Sequence, residues 1–119
     1  MSDRVKDMQC TDTARITDAT SGKIHAGPFD LNRGSWTLPK GTKLWVGSER
    51  PGPHTGAVLR AVALDEQRQE IDQQRSPESA GGVEGLALFF PGALRLPHAG
   101  NWRLEVTIGN DTGCFLINA

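Results

Sequence analysis

Residues 86–119 read LALFFPGALRLPHAGNWRLEVTIGNDTGCFLINA, and this stretch decides the fold class. Trp102, Leu104, Val106 and Ile108 alternate with Arg103, Glu105 and Thr107. A period of two puts the apolar side chains on one face, as in a half-buried β-strand. The turn formers Asn110-Asp111-Thr112-Gly113 follow, then the apolar run Cys114-Phe115-Leu116-Ile117. Together they predict a β-hairpin turning at residues 110–113. Upstream, residues 86–90 read as a strand, Pro91-Gly92 as a turn, and Ala93-Leu94-Arg95-Leu96 as a short extended piece.

The same signals recur toward the N-terminus. Residues 57–64 form the longest apolar run before the C-terminal stretch. Their β-branched content predicts a strand with Val58, Val62 and Leu64 inward, around an exposed or edge Arg60. Residues 65–68 are then a hairpin turn, returning through residues 69–72. Residues 73–85 are polar, end near Gly81-Gly82, and read as a long surface loop. In residues 42–47, Leu44 and Val46 face one way and Trp45 the other. Such a strand belongs near a sheet centre, unless Trp45 covers an edge. Residues 35–38 make a short strand. In residues 23–29, Ile24 and Ala26 share one face and His25 takes the other, with Pro28 marking an edge. Residues 1–20 are a flexible arm with a possible short strand near Ile16, and residues 21–119 form one domain. The reading is all-β, with about seven to nine strands at the spacing of a β-sandwich. The expected core comprises Leu44, Val46, Val58, Val62, Leu88, Trp102, Leu104, Val106, Phe115 and Ile117.

A chain of 119 residues suits one domain with its own core. Its 14 glycines and 7 prolines are spread as punctuation between short strands. The net charge of −1 gives no basic face, so a nucleic-acid partner has little support. No apolar run reaches the ~18 residues needed for a membrane-spanning helix, so no membrane insertion is expected. The first residues lack the apolar core of a signal peptide. The chain is therefore cytoplasmic, or a mature form whose precursor carried a signal peptide.

Chemistry-bearing residues are few. Ser48 lacks the flanking glycines of a nucleophile elbow, and the carboxylates Asp65-Glu66 and Glu70/Asp72 suit a solvated hairpin. No catalytic motif, cofactor motif or closely spaced metal motif occurs, so a non-enzymatic role without a cofactor is expected. The histidines are His25, His54 and His98. His54 in a Pro/Gly loop and His98 in the turn before Trp102 would have to meet at one end of a sandwich to bind a metal. Otherwise they are solvated. Trp36, Trp45 and Trp102 stand without a single tyrosine. Trp36 and Trp45 on one flat face would make a sugar-stacking platform. The competing reading puts Trp45 and Trp102 in the core and leaves Trp36 the most exposed of the three. Cys10 and Cys114 pair in an oxidising compartment or stay as separate thiols in a reducing one.

Pro97-His98-Ala99-Gly100-Asn101-Trp102, followed by alternation and a closing strand, resembles a pattern of small bacterial envelope β-sandwich domains of uncharacterised function. These carry Pro-x-x-Gly-x-Trp before their penultimate strand. Gly41-Thr42-Lys43-Leu44-Trp45 resembles their early Gly-x-x-x-Trp strand, and the likeness covers residues 34–119. It implies an immunoglobulin-like antiparallel sandwich and an extracytoplasmic address. Many relatives have a Cys just before this Trp, where this chain has Asn101, so a disulfide here would use Cys10 and Cys114. In such a sandwich the first and last strands lie side by side, which brings Cys10 opposite Cys114 if the arm docks there. The expected function is a non-enzymatic binding or accessory module that meets a protein or glycan partner through end loops or a sheet edge. The alternative is a carbohydrate- or metal-binding module of the envelope. Candidate ligand-binding residues are Trp36, Trp45, His54 and His98.

Overall fold

The computed structural model describes residues 9–14, 16–29, 36, 42–49, 56–66, 68–75, 81–83 and 86–119. Among them are twelve strands and no helix: β1 Thr11–Asp12, β2 Ala19–Ser21, β3 Ile24–Gly27, β4 Thr42–Lys43, β5 Trp45–Ser48 and β6 Ala57–Ala63, then β7 Glu70–Arg75, β8 Gly81–Val83, β9 Leu86–Phe90, β10 Ala93–Leu94, β11 Asn101–Ile108 and β12 Asp111–Asn118. The chain is all-β. The strand count exceeds the expected seven to nine because the short β1, β2 and β8 lie in segments read as arm or loop, and the 42–47 strand is broken at Leu44 into β4 and β5.

The strands form two five-stranded sheets, β1-β12-β11-β6-β7 and β2-β3-β5-β9-β8, with β10-β4 as a separate pair. One apolar core draws on both: Ile24, Ala26, Val46 and Phe90 from the second sheet, and Leu59, Leu104, Val106, Phe115 and Ile117 from the first. β5 is the central strand of the second sheet, which explains apolar residues on both its faces. β3 lies inside that sheet rather than at an edge, so Pro28 follows an interior strand.

The β11–β12 hairpin follows the alternation. Trp102, Leu104, Val106 and Ile108 are buried, and Trp102 pairs with Ile117 and Leu104 with Phe115. Its turn is two residues earlier than expected. Ile108 pairs with Asp111, so the loop is Gly109-Asn110, with Gly109 at φ 62°. A two-residue hairpin loop needs positive φ at its first central residue, which glycine adopts without steric cost. Asp111, Thr112 and Gly113 continue the strand.

β6 corrects the reading of residues 57–64. Ala57, Leu59, Ala61 and Ala63 face the core, while Val58 and Leu64 are 43% and 44% exposed. The expected parity was inverted, which moves every side chain to the other face. The register gives the reason. Ala63 lies opposite Trp102, Ala61 opposite Leu104, Leu59 opposite Val106 and Ala57 opposite Ile108. β11 carries the bulk of this layer, so β6 fits beside it with small residues. Val62, on the outer face opposite Arg103 and Glu70, is nevertheless buried. Leu88 is only partly buried at the margin of the core.

Two further expectations change. The 65–68 turn and its returning strand are present, with the Asp65 carboxylate accepting from the Arg68 amide at 3.1 Å. The strand extends to Arg75, however, and residues 81–83 form β8, so the 73–85 stretch is not one long loop. Residues 76–80 and 84–85 lie outside the described residues. Within the segment read as an arm, β1 and β2 are strands. β1 also breaks the antiparallel rule, since it pairs parallel to β12 with Thr11 opposite Phe115. One residue back, that register sets Cys10 beside Cys114. The two form a disulfide with alpha-carbons 4.6 Å apart.

Candidate functional site

The outer face of the second sheet follows from period two. Ile24 and Ala26 of β3 and Val46 of β5 face the core, so His25, Trp45 and Gly47 face outward. Phe90 is buried, so Phe89 faces outward as well. Pairing then aligns these residues in one row, Thr20–His25–Gly47–Phe89, across β2, β3, β5 and β9. Trp45 lies two residues from Gly47 on the same face. Its ring meets Phe89 at a centroid distance of 5.6 Å and 32° between planes. Gly47 contributes no side chain between His25 and Phe89. Both aromatic residues are half-buried.

At the other end of the row, the His25 imidazole is held from both sides. Its Nε2 bonds the Glu49 carboxylate, and its Nδ1 lies 3.3 Å from the Thr20 hydroxyl. The His25 and Glu49 side chains are 28% and 40% exposed. Hydroxyl, imidazole and carboxylate thus form a fixed polar edge about two strand spacings, or ~10 Å, from Phe89. An apolar aromatic surface beside a hydrogen-bonding edge can stack a ring bearing C–H groups and bind its hydroxyls.

The candidate residues of the sequence fare differently. Trp45 belongs to this face. Trp36 does not: it is 2% exposed and stacks on Phe29 at 6.0 Å within the core, the reverse of the exposure expected for it. It packs inside because Phe29 in turn meets Phe115, so three aromatic side chains fill one region between the sheets. The two tryptophans therefore do not share a platform. His98 packs on Trp102 at 4.9 Å, and the Trp102 indole N–H donates to the His98 carbonyl at 3.1 Å. The His98 Nδ1 faces the Ala99 carbonyl at 2.8 Å, and its Nε2 lies 3.7 Å from the Asp65 carboxylate. His98 thereby caps Trp102 at one end of β11. His54 lies outside the described residues. Among the described residues no group of three or more His, Cys, Asp or Glu could hold a metal.

Sequence reasoning missed Phe89, His25 and Glu49 as site residues. The alternation of residues 23–29 turned His25 outward, but nothing local pairs it with a carboxylate 24 positions away. That neighbour follows from β3 lying against β5. Chemical shape is what the chain itself provides for judging this face, because no family model, no curated protein and no solved structure matches it.

Proposed function

We propose that this chain is a non-enzymatic binding module with an immunoglobulin-like sandwich architecture, and that it engages a glycan through the outer face of its second sheet. The observation that carries the reading is the half-exposed Trp45–Phe89 pair beside the fixed Thr20–His25–Glu49 edge. A pyranose presents C–H groups on its faces and hydroxyls at its rim, and the two halves of this surface match them. The binding surface is thus a sheet face instead of an end loop or a sheet edge.

Several features support the architecture and address in this reading. Two five-stranded sheets enclose one core, and the first and last strands are neighbours. Trp102 stands near the start of the penultimate strand, anchored to the His98 carbonyl of the Pro97–Trp102 motif, in keeping with the bacterial envelope domains it resembles. The Cys10–Cys114 disulfide favours an oxidising, extracytoplasmic compartment. No helix among the described residues is long and apolar enough to cross a membrane.

The test is a glycan array followed by calorimetry on the best binder. Trp45→Ala and Phe89→Ala should each weaken binding by about 10-fold or more, given ~1.4 kcal/mol per decade, while leaving the fold intact by circular dichroism. Glycan binding that survives both substitutions, or an array with no binder, would remove the reading.

A further inference from the structure

Arg75 ends β7, the edge strand of the first sheet, and points inward. It is 6% exposed. Its guanidinium crosses to the other side of the molecule, where Nη1 donates to the carbonyls of Leu44 at 2.5 Å and Phe90 at 2.9 Å. Nε donates to the Gln73 side-chain oxygen at 3.1 Å, and the Gln73 amide in turn donates to the Ala93 carbonyl at 2.8 Å. Three of the five N–H donors of a guanidinium are thereby used, all on neutral acceptors. Nη2 is buried and has no acceptor among the described residues. Burial lowers the guanidinium to about 10, so the group still carries its charge at neutral pH. A buried charge held only by neutral groups is costly, and an anion is what relieves it.

The cover over this group is thin. A Cβ placed on Gly92 would lie 2.7 Å from Cζ and Nε and 3.0 Å from Nη2, so the glycine backbone rests directly against the guanidinium. Gly92 and Pro91 are themselves exposed. This short link between β9 and β10 is tied down by the Leu44 amide, which donates to the Gly92 carbonyl at 2.8 Å.

We propose that Arg75 Nη2, beneath the Pro91-Gly92 link, anchors a small monocarboxylate ligand. The charge to be balanced is a single positive one. The Leu44 and Phe90 carbonyl oxygens beside it repel a multiply charged oxyanion such as phosphate. With both Nη1 hydrogens and the Nε hydrogen engaged, Nη2 alone is left, and its two N–H groups suit one carboxylate of formate or acetate size. This site is separate from the aromatic face of the second sheet, and either can fail without the other.

The experiment titrates the full chain with sodium acetate against sodium chloride at equal ionic strength. It follows the Arg75 side-chain nitrogen resonances and the thermal midpoint. Acetate should shift Nη2 saturably and raise Tm by about 6 °C over chloride at ten times its dissociation constant. Gly92→Ala, which drives a methyl into the guanidinium, should weaken the acetate response at least ~10-fold, a loss of about 1.4 kcal/mol. Equal effects of acetate and chloride, an unmoved Nη2, or a Gly92→Ala variant that responds like the parent would each overturn the proposal. If that variant does not fold, the titration of the parent chain decides alone.

Discussion

Replacing Leu59 with Ala should destabilise the protein by about 3–4 kcal/mol, whereas Val58→Ala should cost under ~1 kcal/mol. Leu59 is 1% exposed, opposite Val106 in the middle of the first sheet's inner face. The truncation removes three carbon groups worth about 0.8 kcal/mol each, and the cavity left in a close-packed layer adds roughly another 1 kcal/mol. Val58 is 43% exposed on the opposite face. It loses two carbon groups that are already nearly half hydrated and leaves no sealed cavity. Urea unfolding of both variants, compared at constant m-value, measures the difference. If Val58→Ala costs as much as Leu59→Ala, β6 pairs with the other parity and the core described above is wrong.

Gly113→Ala should cost about 1–3 kcal/mol by overpacking. Its new Cβ would meet the Ile24 Cβ at 2.7 Å and the Ser21 carbonyl at 2.9 Å, where the two sheets approach, and a Tm equal to the parent's would contradict that approach. Intact-mass analysis after alkylation without reductant should find no free thiol. Cys114→Ser should lower stability by roughly 4–5 kcal/mol on the chain-entropy model for a 104-residue separation, and an unchanged unfolding midpoint would show that the tie contributes nothing.

Trp102 and Arg75 show what a single sequence exposes. Trp102 was placed correctly because its strand alternates over eight residues and only one face is apolar. The sequence puts Arg75 in a polar loop because Gln73, Gln74 and Arg75 carry no apolar partner in sequence. Their strand exists because β6 pairs with it from Ala57 to Val62, and Arg75 is covered by Leu44, Phe90 and Gly92 from distant segments. The candidate site divides in the same way. The alternation sets Trp45 against its neighbours Leu44 and Val46, but it leaves open whether the ring is core or surface. Its partner Phe89, and the His25–Glu49 contact, required knowledge of which strands are adjacent.

The local pattern by itself determined the all-β class, the closing hairpin, the 65–68 turn and the outward orientation of His25. Each of these depends on period two or on turn chemistry within a few residues. Tertiary structure decided the parity of β6, the burial of Trp36 against Phe29, the parallel docking of β1 and the entombment of Arg75. In β6 both faces carry apolar side chains, so periodicity is silent, and the choice falls to the volume that Trp102 and Leu104 already occupy in the neighbouring strand. Packing is a property of residues far apart in the chain, and it overrides local preference wherever the local signal is balanced.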